Sequence, residues 1–371
     1  MGKYYSLQRI KEKKARYNLI YGERSNGKTF SVLEEGLKIV IKSDYTKQFC
    51  IIRRWEEDFK GKNGEQQFEG FINNKEKGNI LEKMTNGKYN YIKYQSKRWY
   101  LAKKTIDVDG KECFEINKTP FCYAFGIASE EHYKSLSFPN IVLVLLDEYI
   151  TRRYYLNDEF ILFTSLLSTI IRDRDDVIIY MCGNSINKYC VYHIEMGLHN
   201  VNKMKKGDID VYKYGDSGLV VAIEYSDSPS KKKKSNVYFA FNNPKLKMIT
   251  DGEWEIDIYP HLPTKYRPKD VILHYYIVFN NEKLECKIIK VDDMLFTYIH
   301  RKTTDIKDDN KRFVYQQDYD VKENYRRNIT KCFTNIEKFI YSFYVKDKVF
   351  YQDNEVGEIV RNYLMWCTHG N

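Results

Sequence analysis

The chain has 371 residues, longer than one typical domain, and 43% of them are hydrophobic, which is enough for a sizeable core. Its formal net charge of +10 favours a polyanionic partner, although solvated lysines alone give many proteins such a charge. The longest apolar run, residues 141–146, is too short to span a bilayer. The eight cysteines form no CxxC pair, so we expect reduced thiols, no zinc site and a soluble intracellular protein without a membrane partner.

The first two hundred residues alternate between predicted strands and helices. This alternation predicts an open α/β sheet with a parallel core and helices on both faces. The continuous apolar run 141–146 (IVLVLL) is typical of a strand buried inside such a sheet. In chain order we predict a strand at 17–21, a helix at 28–42, a strand at 49–52, β-hairpins over 87–127, a strand at 141–146, a helix at 158–171 and a strand at 177–182.

The pattern changes after residue 200. Residues 201–265 contain Gly-Asp-Ser-Gly, Ser-Pro-Ser and the lysine run 231–234, and we predict an irregular linker there. Residues 266–371 are predicted to form a small second domain of mixed α/β type, leaving 1–200 as the first domain. Its predicted elements are strands at 271–279, 284–291 and 295–300 and a helix at 324–344.

A glycine-rich loop follows the first predicted strand and carries the strongest functional signal. It has the pattern G-x-x-x-x-G-K-[ST], in which glycines let backbone N–H groups surround phosphates. The lysine reaches the β- and γ-phosphates, and the threonine hydroxyl coordinates Mg²⁺. The sequence therefore predicts an ATP and Mg²⁺ site at this loop. Its residues are Gly22, Glu23, Arg24, Ser25, Asn26, Gly27, Lys28 and Thr29.

Two acidic residues end the apolar strand 141–146. We predict that Asp147 holds Mg²⁺ through water and that Glu148 polarises the attacking water, which points to ATP hydrolysis. An adjacent glutamate of this kind marks the ATPase branch of P-loop proteins. Alone, an Asp-Glu pair at a strand end is also compatible with a solvated turn.

Four further residues are candidates for assisting hydrolysis. Arg172 follows the predicted helix 158–171, where it fits either an arginine finger for a neighbouring subunit or a cation at a helix C terminus. Arg174 has the same two interpretations. Asn184 ends the strand 177–182 and fits either a sensor of the γ-phosphate or an ordinary Gly-Asn turn. Lys134 precedes the acidic pair's strand and is also compatible with an ordinary surface lysine.

Taken in order, these segments resemble the DNA-encapsidation ATPase of small protein-primed tailed phages, a terminase-like P-loop motor. The resemblance covers roughly residues 15–200 and is looser beyond. It is carried by the loop with Arg24 inside it, Phe49-Cys50-Ile51-Ile52-Arg53-Arg54, Lys134 with Phe138-Pro139-Asn140, the strand ending in Asp147-Glu148, Ile171-Arg172-Asp173-Arg174 and Gly183-Asn184-Ser185.

The resemblance implies an additional-strand (ASCE) P-loop ATPase domain. It implies a homo-oligomeric ring, pentameric in the family, that sits at the portal vertex of a procapsid in the host cytoplasm and drives double-stranded DNA inward. By position, Arg172 matches the family's trans-acting arginine finger and Lys134 a lysine that assists it in trans. A packaging RNA is a further possible partner.

The resemblance also implies an RNase H-like C-terminal domain that lacks its catalytic acids. The first predicted strand of this domain, VILHYYIVF, contains no carboxylate where such a nuclease needs a metal-binding aspartate. Asp292-Asp293 fits a turn. We therefore predict docking, and no nuclease activity, for this domain.

A ring that moves along any DNA sequence needs phosphate contacts from lysine and arginine, which are independent of sequence and weaken with salt. Lys60 and Lys62 are candidates for these contacts, although a solvated loop explains them equally well. Alternatives to a packaging motor are another additional-strand translocase, such as a helicase or conjugative pump, a nucleotide-gated scaffolding protein, and a kinase. The intact Lys28, Thr29, Asp147 and Glu148 argue against a degenerate scaffolding site.

Overall fold

The computed structural model describes residues 5–227, 257–263, 265–291, 293–306 and 311–369. The lysine run 231–234 and Asp292 lie outside these residues. The described residues form two compact units. The first contains residues 5–151 and 158–227, and the second contains residues 152–157 and 257 onward. None of the helices in the described part of the chain is long and apolar enough to cross a bilayer.

The first unit is built on one large sheet. Its strands are β1 (Tyr17–Gly22), β2 (Gln48–Arg53), β3 (Tyr91–Gln95), β4 (Arg98–Ile106), β5 (Glu112–Ile116), β6 (Cys122–Gly126), β7 (Ile141–Asp147), β8 (Ile178–Asn184), β9 (Ile209–Tyr214) and β10 (Leu219–Ser226). Its helices are α1 (Gln8–Lys11), α2 (Lys28–Lys42), α3 (Lys62–Glu65), α4 (Glu69–Ile72), α5 (Ile80–Met84), α6 (Glu159–Ile171) and α7 (Val191–Glu195).

The core of this sheet is parallel. Strands β6, β2, β7, β8, β1 and β10 lie side by side in that order and run in the same direction. Strand β8 follows β7 in the chain yet lies between β7 and β1, so an additional strand separates the glycine-loop strand from the acidic strand. All seven residues of β7 are buried, as its continuous apolar run predicts. The predicted α/β class with a parallel core is therefore confirmed.

Antiparallel strands complete both edges. The predicted hairpins form as β3 against β4 and β4 against β5, and β9 pairs with β10 at the other edge. The predicted irregular linker is wrong for residues 209–226, which form β9 and β10. The residues of β9 are half-buried or exposed, as expected of a strand at a sheet edge. The sequence therefore has no continuous apolar run that would predict this strand. Gly218, with a φ of 65°, lies in the tight turn between the two strands.

The second unit has its own sheet. Its elements are β11 (Val271–Phe279), β12 (Glu282–Val291), β13 (Met294–Arg301), β14 (Val314–Gln316), β15 (Tyr325–Arg326), β16 (Val349–Tyr351), α8 (Asn335–Val345) and α9 (Asn354–His369). Strands β11, β12 and β13 form an antiparallel meander, and β14 and β15 extend it in parallel beside β11. This arrangement agrees with the expected RNase H-like domain.

One predicted helix of the second unit begins too early. The sequence predicts a helix over 324–344, but α8 begins only at Asn335. The hydroxyl of Thr334 accepts a hydrogen bond from the Glu337 amide, and the Glu337 carboxylate accepts one from the Thr334 amide. This capping box fixes the start of the helix. Residues 325–326 belong to β15 instead.

Candidate nucleotide site

The glycine-rich loop connects β1 to α2 at the carboxyl edge of the parallel sheet. Gly22 and Gly27 have φ values of 151° and 93°, which favour glycine, and Ser25 also has a positive φ of 58°. A Cβ atom at Gly22 would lie 2.3 Å from Oγ of Ser226. The cap position of α2 is Gly27, which has no side chain, and the Lys28 amide donates to Oδ1 of Asn26 at 3.3 Å. The loop therefore ends at a helix terminus whose first amides and positive dipole end suit an anion.

Contacts from three other segments hold the loop. The Ser226 hydroxyl at the end of β10 accepts a hydrogen bond from Nδ2 of Asn26 at 2.9 Å and donates one to the Tyr21 carbonyl. The amide of Tyr5 donates to the Asn26 carbonyl, also at 2.9 Å. The ammonium of Lys206 lies 2.8 Å from the Glu23 carboxylate. Arg24 is an exposed member of the same loop.

Lys28 is 5% exposed and its ammonium folds back over the loop. Its Nζ lies 2.6 Å from the Glu23 carbonyl, 3.1 Å from Oδ1 of Asn26 and 3.4 Å from Oδ1 of Asn184. Burial lowers the pKa of Lys28 to about 8, although Asp147 and Glu23 nearby act in the opposite direction. A charged group that is partly desolvated and held by neutral oxygens is well prepared to bind phosphate oxygens.

Asp147 lies beside the loop. Oγ1 of Thr29 donates to Oδ1 of Asp147 at 2.8 Å, so the two predicted magnesium ligands are in contact. A hydroxyl and a carboxylate are oxygen ligands that Mg²⁺ prefers, and they fit this ion. Thr29 and Asp147 would hold this ion, which would supply positive charge against the phosphates of a nucleotide.

Glu148 has an exposed side chain between two buried residues, Asp147 and Tyr149. Its backbone has a φ of 58°, which is uncommon for a residue other than glycine. On the far side, the Tyr149 amide donates to the Cys182 carbonyl of β8, and the Tyr149 ring packs against Gly183, where a Cβ would lie 2.9 Å away. The strand end thus turns the Glu148 carboxylate toward solvent at the edge where the loop lies.

Asn184 ends β8 directly beside the first loop glycine. It is the register partner of Gly22, and the Ser185 amide donates to the Gly22 carbonyl at 3.1 Å. The structure therefore brings together the loop, Asp147, Glu148 and Asn184 at one edge of the sheet.

Arg172 and Lys134 lie elsewhere. Helix α6 begins near the nucleotide edge, because Glu159 in its first turn pairs with Arg54 just after β2. Its 13 residues span about 20 Å, so Arg172 at its C-terminal end lies far from Asp147 of the same chain. An Nη atom of Arg172 donates to the Leu136 carbonyl at 2.9 Å. Lys134, two residues earlier, pairs with Glu130 at 3.3 Å. Arg172 and Lys134 therefore share one surface, separate from their own chain's nucleotide edge.

Arg174 differs from Arg172. Its guanidinium donates to the carbonyls of Ile170, Ile171 and Phe138, so it satisfies the C-terminal end of α6. Lys60 and Lys62 follow β2 and are exposed, and Lys60 pairs with Glu57 at 3.1 Å.

The structure adds residues that the sequence did not assign to the site. Arg53, the last residue of β2, forms an ion pair with Asp147 at 2.7 Å. Arg54 pairs with Glu159 and donates to the Tyr149 carbonyl. Ser226 fixes the loop from β10. The two arginines directly after a buried strand were visible in the sequence, but their partners depend on β2 lying next to β7.

Fold and site together define the additional-strand class of P-loop ATPase folds. No protein-family model and no curated protein sequence matches this chain. Among solved structures, the Phi-28 gp11 DNA packaging motor is 16% identical with a TM-score of 0.52, and the match covers 98% of each chain. A chain of the bacteriophage Phi-29 viral genome packaging motor assembly is 17% identical with a TM-score of 0.54, covering 97% of each chain. This chain therefore has the fold of phage DNA packaging motor proteins, as the sequence resemblance implies.

Proposed function

We propose that this chain is an ATP-hydrolysing subunit of a phage DNA packaging motor, which drives double-stranded DNA through the portal into a preformed capsid. One observation carries the proposal: the phosphate loop, Asp147, Glu148 and Asn184 converge at one edge of an additional-strand sheet. The fold shared with packaging motor proteins over nearly the whole chain supports the biological setting.

The residues have distinct roles in this proposal. Lys28 and the loop amides bind the phosphates, and Thr29 with Asp147 holds Mg²⁺, in the case of Asp147 through water. The exposed Glu148 carboxylate orients and polarises the attacking water. Asn184 is within reach of both Lys28 and the loop, so it senses the γ-phosphate and reports it to β8.

Arg172 acts on the nucleotide of a neighbouring subunit. Its place about 20 Å along α6 from the nucleotide edge prevents it from reaching its own site, and this supports an arginine finger in trans. Lys134 shares its surface and assists it. Sites completed by neighbours fit a closed homo-oligomeric ring, and we propose a pentamer.

The ring grips DNA through phosphate contacts, for which the exposed Lys60 and Lys62 are candidates. The second unit docks to the portal, the capsid or a packaging RNA, and we propose that it has no nuclease activity. Its first strand, β11, contains no carboxylate. Magnesium would then serve only the ATP site. The motor works in the host cytoplasm, transiently at the portal vertex of the procapsid.

The experiment is ATP turnover of the purified full chain over a range of protein concentrations, with and without double-stranded DNA. Arg172→Ala is measured beside the wild type. We expect turnover per subunit to rise with protein concentration and with DNA, and to fall at least about a hundredfold in the variant. An exposed arginine outside both sites, Arg98→Ala, is the matched control and should behave like the wild type.

If turnover per subunit depends on neither DNA nor protein concentration and Arg172→Ala is unaffected, the packaging motor is contradicted. The chain would then still be an ATPase. Unwinding of a duplex by the wild type would favour the helicase-like alternative. No turnover under any condition would overturn the proposal as a whole.

A further inference from the structure

Both side-chain oxygens of Asp147 already have partners from the chain itself. Oδ1 accepts the hydroxyl of Thr29, and Oδ2 lies 2.7 Å from an Nη atom of Arg53. Neither Asp147 nor Thr29 needs Arg53 for its predicted role with magnesium. The arginine is therefore a cation that faces the same carboxylate that would hold the metal ion.

The position of Arg53 is fixed by the fold. It is the last residue of β2, which runs parallel to β7 with Ile52 beside Leu146, so Arg53 comes level with Asp147. Its side chain is 19% exposed and that of Asp147 is 5% exposed, so water screens the pair only weakly. Its Nε is buried and has no hydrogen-bond partner among the described residues. The guanidinium thus bonds Asp147 through one Nη and keeps its Nε–H as an unused donor.

The charges around Arg53 are mostly negative. Burial alone would lower the pKa of Arg53, but attraction by Asp147 and Glu148 outweighs burial and raises it. Arg53 is therefore a permanent positive charge next to two adjacent carboxylates. Without it, these carboxylates would repel the phosphates of any nucleotide that arrives without a metal ion.

We propose that Arg53 is an internal counter-ion of Asp147 that competes with Mg²⁺ for this carboxylate and so weakens the magnesium dependence of nucleotide binding. While Arg53 holds Oδ2, the site tolerates metal-free nucleotide. Bound magnesium would supply the positive charge that Arg53 otherwise provides to Asp147, and the Arg53 side chain would then be free to donate to Glu148 or to a phosphate oxygen. Arg53 is a positioning residue in this account.

Arg54, the next residue, is held firmly by its own partners. Its Nε donates to the Glu159 carboxylate at 2.6 Å. One Nη donates to the same carboxylate at 2.8 Å and also to the Tyr149 carbonyl at 3.3 Å. The Glu159 side chain is fully buried. Because Arg54 is held by Glu159 and by the Tyr149 carbonyl, we expect the backbone at Arg53 to stay in place while only the Arg53 side chain moves.

The test is the affinity of N-methylanthraniloyl-ADP, measured by fluorescence anisotropy in excess EDTA and in excess MgCl₂. The quantity of interest is the ratio of the two dissociation constants, without and with magnesium. In Arg53→Gln we expect metal-free binding to weaken and the ratio to rise on the order of tenfold, the size expected for losing one partly buried charge pair. Lys38→Gln removes one exposed cation, paired with Glu34 at 3.1 Å, and should leave the ratio unchanged.

The inference rests on the proposed ATP site, and the two fail differently. If the wild type binds the probe in neither buffer, the proposed site itself fails. If the wild type binds it but the ratio in Arg53→Gln is unchanged or falls, the inference is overturned, since a fall means that Arg53 supports the metal. If circular dichroism shows that Arg53→Gln does not fold, the same ratio is measured in Arg53→Lys. A higher ratio than in the wild type supports competition, because the shorter ammonium pairs less well, and an equal or lower ratio contradicts it.

Discussion

Glu148 occupies a strained backbone position that the residues on either side maintain. Its φ of 58° is costly for a residue other than glycine, and such strain persists only where the surroundings impose it. Asp147 before it is bonded to Thr29 and Arg53, and Tyr149 after it is buried against β8. The contacts of these two neighbours fix the direction of the Glu148 side chain, which needs no hydrogen bond of its own for this. This geometry fits the role that we propose for Glu148 with a bound ligand.

Replacing the Glu148 carboxylate separates binding from hydrolysis. In Glu148→Gln we expect ATP turnover to fall by about a hundredfold to ten-thousandfold, because the variant cannot polarise water as a base. Affinity for N-methylanthraniloyl-ADP should change less than about threefold, since the loop is untouched. The control is Glu34→Gln, a half-exposed carboxylate on α2 that pairs with Lys38. Equal losses of turnover and affinity would contradict the assigned role.

The lowered pKa of Lys28 predicts a pH dependence of nucleotide binding. Burial sets this pKa to about 8, and bound phosphates favour the charged ammonium and raise it. Above pH 8 the Lys28 ammonium of the free protein is mostly deprotonated, so nucleotide binding must take up a proton. Probe affinity should therefore decline as pH rises from 8 to 9.5, by up to about tenfold per pH unit. Calorimetry in buffers of different ionisation enthalpy should show proton uptake.

The comparison for this pH experiment is Lys28→Arg, in which the arginine side chain stays positively charged at every accessible pH. Its affinity, whatever its level, should be flat over this range of pH. A wild-type affinity that does not change between pH 7.5 and 9.5 would contradict the assignment.

At the scale of elements, the site is assembled where strands end. Strands β2, β7, β8, β1 and β10 contribute Arg53, Asp147, Asn184, Gly22 and Ser226 respectively, all at their carboxyl ends. This is where ligands bind in open parallel sheets. The buried Arg54–Glu159 pair then joins the end of β2 to the start of α6, the helix that ends before Arg172.

Breaking that buried pair should loosen α6. Arg54→Met removes the Arg54 cation from the fully buried Glu159 carboxylate, which keeps the hydrogen bond from the Tyr192 hydroxyl, and this loss costs about 3–5 kcal/mol. Hydrogen exchange of α6 peptides, read by mass spectrometry, should become at least about a hundredfold faster. Arg54→Met with Glu159→Leu should recover much of the protection.

A half-exposed pair provides the comparison for this experiment. Lys11→Met removes the cation beside Glu35, where solvent screening makes the pair worth at most about 1 kcal/mol. Unchanged exchange of α6 in Arg54→Met would show that the buried pair does not stabilise the helix.

Continuous sequence patterns predicted most elements of the first unit. Helix α2 spans Lys28–Lys42 as its periodicity predicts, and β7 extends only one residue past the apolar run. The loop could be identified because its ligands are consecutive. The partnership of Arg53 with Asp147 could not, because it depends on which strand lies beside β7. Strand β9 was missed because its polar residues lie at a sheet edge, and the sheet order follows from packing that no local pattern encodes.

At the scale of the whole molecule, the two surfaces to which we assign functions lie at separate places on the first unit. The nucleotide edge carries the loop and Glu148, and the surface with Arg172 and Lys134 lies at the far end of α6. A single chain therefore cannot bring its own Arg172 to its own nucleotide. A neighbouring copy with the same surface can, which makes subunit contact a condition for hydrolysis in the proposed motor.

The measurement that tests this account most directly is complementation between two inactive variants. Glu148→Gln cannot activate water but keeps Arg172, and Arg172→Ala keeps a complete site of its own but offers no finger. Mixed in equal amounts with double-stranded DNA and ATP, they should recover turnover well above either variant alone, since a Glu148→Gln subunit supplies the arginine to its Arg172→Ala neighbour. A mixture no more active than the sum of its two parts would contradict catalysis shared between subunits.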